Sequence, residues 1–92
     1  MSTFKLVISS PDGNVFSGEA GSISVRGSDG DLMIMAGHIP FVTAVKPCEC
    51  KLVLEDGTER TGKTDGGILS VAEDKTTLLS SSFEWQTSED DK

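Results

Sequence analysis

The 92-residue chain is poor in the residues that most often carry chemistry. It has a single histidine, His38, so any histidine-based catalytic triad or multi-histidine metal site would have to be built around that one position. No Gly-x-Ser-x-Gly elbow is present, and the two cysteines sit on a predicted strand without a helix N-terminus to acidify a thiol. Basic residues are scarce as well, eight against fifteen acids, for a net charge of -7. Such a field repels phosphate backbones and anionic headgroups, which argues against nucleic-acid binding and electrostatic membrane anchoring. No apolar run approaches the roughly 20 residues that span a bilayer. The N-terminal MSTFKLVISS lacks the basic segment and apolar core of a signal peptide, so a cytoplasmic protein is expected. Cys48 and Cys50 would lie on one face of a strand, about 6–7 Å apart along the chain, and read as reduced thiols.

What is present is alternation. Phe4, Leu6 and Ile8 alternate with polar or smaller neighbours and stop at Pro11-Asp12-Gly13. Val15-Phe16 begins a second strand, and Ile23 and Val25 mark a third, with a bulge or bend expected around Gly18 and Gly21. Leu32 and Ile34 form a fourth opposite Met33 and Met35, and Phe41, Thr43 and Val45 oppose Val42, Ala44 and Lys46. Cys48, Cys50, Leu52 and Leu54 share a face up to Glu55-Asp56-Gly57-Thr58, where Asp-Gly predicts a tight primed hairpin turn. Glu59–Thr64 is the polar return strand. Two further strands follow at Ile68–Ala72 and Thr76–Ser80, and Phe83 and Trp85 can still pack. No helical period persists over ten residues, and there are no repeats. Short strands with turns at this spacing predict one all-β domain over residues 1–86, a sandwich or flattened barrel, followed by a mobile acidic tail at 87–92.

The candidate sites divide between plain and functional readings. Asp29-Gly30-Asp31 has turn chemistry; the rest of a calcium loop is missing, and acidic contact with a partner is the other reading. His38 with Cys48 and Cys50 makes a poor tetrahedral zinc set, because two of the three ligands lie on one strand. Gly66-Gly67 precedes a strand and so lacks a helix N-terminus to hold phosphate. Met33 and Met35 either fill the sandwich or present an adaptable docking face.

The order of these signals carries a resemblance. Ser10-Pro11-Asp12-Gly13, Val15-Phe16-Ser17-Gly18, Gly27-Ser28-Asp29-Gly30-Asp31-Leu32, Gly37-His38-Ile39-Pro40, Thr43-Ala44-Val45-Lys46-Pro47 and Gly66-Gly67-Ile68-Leu69-Ser70-Val71 occur in sequence from about Phe4 to Trp85. In that order they resemble the epsilon subunit of F-type ATP synthase, called delta in mitochondria. The resemblance implies a ten-stranded β-sandwich at the foot of the central stalk, non-catalytic and without a cofactor. It would bind the gamma subunit and the polar loops of the membrane c-ring, and be peripheral on the cytoplasmic face of the inner (cell) membrane without inserting into it. By position, Ser28, Asp29, Gly30 and Asp31 would meet the c-ring, while Ser10, His38, Thr43 and Ile68 would lie toward gamma. Family members usually continue into two helices that restrain hydrolysis and in some bacteria bind ATP; the chain ends at Lys92, so those properties do not transfer. Met33, Ala36 and Cys48 also depart from the family pattern, standing where glycine, proline and glycine are usual. The competing expectation is a generic cytosolic β-sandwich protein-binding module that uses the Met33/Met35 face.

Overall fold

The structure is a computed structural model that describes residues 2–37 and 39–86. His38 and the expected acidic tail at 87–92 therefore lie outside the described residues. Nine strands occur among those described: β1 (Phe4–Ser10), β2 (Gly13–Gly27), β3 (Gly30–Met35), β4 (Phe41–Val45), β5 (Cys48–Leu54), β6 (Glu59–Thr64), β7 (Gly67–Val71), β8 (Thr76–Ser80) and β9 (Phe83–Trp85).

The expected second and third strands are one ribbon of 15 residues. Its first half pairs antiparallel with β1, and its second half pairs with β3 on one side and β5 on the other. The ribbon therefore belongs to two layers. One layer runs β4-β7-β8-β1-β2 and the other β3-β2-β5-β6-β9. Counting β2 in both gives the ten strands of the expected sandwich. Pairing is antiparallel except between β1 and β8, which run parallel.

The change of layer has a local cause. The β2–β5 register jumps between Ala20 and Ser22, leaving Gly21 as the extra residue. Side chains alternate with period two along a strand, so one extra residue inverts the parity. Ala20 before the bulge and Ile23 and Val25 after it all face the core as a result.

Inner faces of both layers supply that core. Leu6, Ile8, Ile23, Ile34, Leu52, Leu69 and Leu78 are fully buried. Phe16, Phe83 and Trp85 close the side where β9 lies: Trp85 meets Phe16 and Phe83 edge-on, with centroids 6.3 and 5.0 Å away, and the Arg60 guanidinium covers the Trp85 ring at 3.9 Å. Gly62 beneath Phe83 leaves the space that ring fills.

Polar side chains fasten one end. Thr64 of β6 and Ser80 of β8 are buried and hydrogen-bond to each other across the two layers. The Gly66 amide donates to Thr64 Oγ1 at 3.0 Å, and Ser80 Oγ donates to the Ser82 carbonyl at 2.6 Å. The Ser81 amide donates to the Gly66 carbonyl at 3.0 Å. Gly66 holds φ at +112°, and a Cβ there would lie 2.9 Å from the Val45 carbonyl, so the turn requires glycine. Every buried side-chain polar atom among the described residues has a partner, which makes this knot a rigid closure rather than a weak spot.

One turn differs from its sequence expectation. At Glu55–Thr58 the Gly57 amide donates to the Leu54 carbonyl and the Leu54 amide to the Thr58 carbonyl. Only Gly57 takes a positive φ, +91°. A primed turn needs positive φ at both central residues, so this hairpin is instead a turn of ordinary hand followed by a glycine bulge. Asp56 Oδ1 accepts from the Thr58 amide at 2.9 Å, which favours Asp56 in the ordinary hand and holds its carboxyl below the usual carboxylate range.

Candidate functional site

Three surface regions follow from this frame. The first is the β2–β3 turn. Gly27 pairs with Gly30, leaving Ser28 and Asp29 at the tip, and the next cross-strand pair is Arg26 with Asp31. Ser28, Asp29, Gly30 and Asp31 are all exposed and contiguous. Arg26 Nε donates to Asp31 Oδ1 at 3.0 Å. The turn is braced from behind: the Lys46 amide donates to the Arg26 carbonyl at 2.9 Å, and the Arg26 amide donates to Cys48 Sγ at 3.4 Å. An open groove beside it is lined by Arg26, Asp31, Met33, Cys48, Glu49 and Lys51.

The second region is the outer face of the layer containing β4, β7, β8 and β1. Register aligns Ala44, Ile68 and Leu79 in one row and Val42, Ser70, Thr77 and Val7 in the next. Val42, Ile68 and Leu79 are 65%, 44% and 52% exposed. Ile68 and Leu79 pair directly, and Val42 stands one row away on the neighbouring strand, so three large apolar side chains are exposed close together on this face.

The third region, the outer face of the other layer, is its opposite in character. Arg26 and Asp31 pair across β2 and β3, Lys51 Nζ reaches Glu59 Oε1 at 3.3 Å, and Glu49, Lys63 and Glu84 follow across β5, β6 and β9. Charges of alternating sign cover this face and keep it soluble. Met33 and Met35 stand exposed at its β3 edge.

The residues expected toward gamma are not on one face. Ile68 belongs to the apolar patch, whereas Thr43, paired with the buried Leu69, is half-buried on the inner side of β4. Ser10 ends β1, where its hydroxyl accepts from the Asp12 amide at 3.3 Å. His38 lies outside the described residues. Val42, Ala44 and Leu79 were passed over by the sequence reading; alternation against the buried Val45 and Leu78 was the signal that places them outside. No three His, Cys, Asp or Glu side chains converge as a metal site among the described residues. No helix there is long and apolar enough to cross a membrane.

Known structures share this fold. The chain superposes with a TM-score of 0.86 and 16% identity on a chain of the Euglena gracilis mitochondrial ATP synthase, in a structure of its OSCP/F1/c-ring in rotational state 1, covering 99% of this chain and 59% of that one. A chain from the central stalk/c-ring of the Tetrahymena thermophila mitochondrial ATP synthase matches with a TM-score of 0.75 and 11% identity, over 89% of this chain and 66% of that one. The chain thus spans about three-fifths to two-thirds of the length of those relatives. The family model described as the ATP synthase Delta/Epsilon chain, beta-sandwich domain matches residues 3–86, from the start of β1 to the end of β9, and the chain belongs to that family.

Proposed function

We propose that the chain is a central-stalk subunit of an F-type ATP synthase, one that turns with the rotor and couples gamma to the c-ring without a catalytic group of its own. Family membership over residues 3–86 carries this reading. The geometry supports it physically: torque transfer needs a stiff body with two separate adhesive regions. The two bonded layers and their polar knot supply stiffness, and the braced turn and apolar face supply the two regions.

In this reading the turn bearing Ser28, Asp29, Gly30 and Asp31 meets the polar loops of the c-ring, with Asp31 as the acidic contact. Gamma covers the apolar face around Ile68; Ser10 and His38 are carried as gamma contacts by the family resemblance alone, and Thr43, on the inner side of β4, is not part of that face. The subunit is peripheral, on the cytoplasmic face of a proton- or sodium-translocating complex.

The test is association of the purified chain with gamma and with the assembled complex, through an interface of about 1,200 Å2 or more. Asp31→Arg is expected to weaken docking to the c-ring by roughly tenfold or more, the cost of a like or missing charge at a contact. Asp56→Arg, on the distant β5–β6 turn, should leave it unchanged. Equal effects would remove the turn from the interface, and no association with gamma would remove the rotor reading itself. The exposed Met33 and Met35 favour the second reading, a β-sandwich module for another cytosolic protein; capture of gamma decides between the two.

A further inference from the structure

Strand β3 forms an open edge of the charged layer. It pairs with β2 alone, in an unbroken register from Gly27 with Gly30 to Ser22 with Met35. Gly27 and Gly30 close the turn as a hydrogen-bonded pair. Antiparallel alternation then gives the next bonds to Leu32 and Ile34, and turns the amides and carbonyls of Asp31, Met33 and Met35 away from β2. Arg26, opposite Asp31, has the same phase: its amide and carbonyl bond to Cys48 and Lys46, on the other side of β2. Among the described residues nothing bonds the six outward groups of β3.

An open edge is a template for another strand, and proteins blunt it with lysine, proline, a bulge or a very short strand. At the far edge of the same layer, β9 has only three residues. β3 has six, GDLMIM, with no lysine, proline or bulge. Its one charge, Asp31, is turned toward Arg26 of β2. Met33 and Met35, 53% and 55% exposed, stand beside the free groups.

We propose that β3 pairs antiparallel with β3 of a second copy of this chain, about a twofold axis through Met33. The strand is complementary to itself. With Met33 facing Met33 of the second copy and Asp31 facing its Met35, every outward amide and carbonyl finds a partner, in six hydrogen bonds; no other register satisfies all of them. The same register sets Leu32 opposite Ile34 on the inner side and leaves the methionines together on the outer side. Each chain carries a net charge of -7. The two Asp31 residues nevertheless lie about 13 Å apart along the paired strands, beyond the roughly 8 Å screening length of physiological salt. One strand edge makes a small interface, below about 1,200 Å2, so the dimer is weak and concentration-dependent. It is a property of the chain outside any larger assembly, and its test is independent of the rotor reading.

The experiment is analytical ultracentrifugation of the purified chain over a concentration series up to about 1 mM, the weak end of specific association. Met33→Lys and Met35→Lys are run beside it. Both positions are exposed, so both variants should melt like wild type, and both change the net charge equally. In the proposed register they act in opposite directions. Met33→Lys sets two like charges against each other on the axis and should weaken the dimer by about threefold or more. Met35→Lys sets a cation against Asp31 twice and should tighten it by about threefold or more. Amide exchange at Asp31, Met33 and Met35 should slow as concentration rises. A wild type that stays monomeric throughout, or two variants that shift the dimer in the same direction, would overturn the proposal. So would a dimer lost in Leu79→Lys and kept in Met33→Lys, which would move the contact to the apolar face.

Discussion

The two outer faces of this sandwich are built on the same pleated backbone and back onto the same core, yet they differ sharply. One sets Val42, Ala44, Ile68 and Leu79 side by side on β4, β7 and β8; the other sets Arg26 against Asp31 and Lys51 against Glu59. Folding needs only the inner faces to be apolar. An outer face gains nothing from leucine or isoleucine in the isolated domain, so an apolar outer face answers to a partner, and a charged one to water. The contrast sets an apolar outer face, which a partner could cover, against one that is mostly charged, with Met33 and Met35 exposed at its β3 edge.

The largest expected effect lies where both faces depend on a common core. Leu78 and Leu79 are neighbours in β8, one fully buried and one half-exposed. Leu78→Ala should cost about 2–5 kcal/mol in chemical denaturation. Leu79→Ala should stay within about 0.5 kcal/mol. A comparable loss from both would mean that the outer row packs against something within the chain itself.

A second effect is read against pH. In the folded chain the Cys50 thiol is pushed up from 9.0 to about 12, by burial first and by Cys48 next. A raised folded pKa gives stability that is intact below the unfolded value and is lost as pH climbs through the folded one. Stability should therefore fall between about pH 9 and 12, and that fall should shrink in Cys50→Ala, as followed by circular dichroism across the alkaline range.

The smallest effect belongs to the charged face. Lys51→Ala breaks the exposed 3.3 Å pair with Glu59 and should change stability by less than about 1 kcal/mol in thermal melts. A larger loss would show that this face contributes to the fold and is more than a solvated surface.

Much of this was legible in the chain. Alternation put Cys48, Cys50, Leu52 and Leu54 on one shared face and set Leu32 and Ile34 opposite Met33 and Met35, since period two is the direct imprint of a strand; that the methionines face out needed the structure. The same rule already separated Thr43 from Val42, so the apolar row was readable once β4, β7 and β8 were known to be adjacent. Adjacency was the missing part, because pairing across sequence is not written in any one segment. The single ribbon Gly13–Gly27 was also hidden: a bulge at Gly21 reverses the alternation and imitates a break between strands. The burial of Thr64 and Ser80 is hidden for a similar reason, since it depends on partners 16 positions apart that meet only in the fold. The Asp56-Gly57 turn was misread because Asp-Gly serves both hands of turn, and here Asp56 bonds the Thr58 amide.

The account stands or falls on which outer face gamma covers. Equilibrium binding of gamma to Ile68→Lys and to Lys51→Ala, each first shown to melt like wild type, tests it directly. A lysine in the centre of the apolar row should weaken association by about 30-fold or more, as loss of a central anchor does, while Lys51→Ala stays within about threefold. Unchanged binding by Ile68→Lys, or a larger loss from Lys51→Ala, would contradict the assignment.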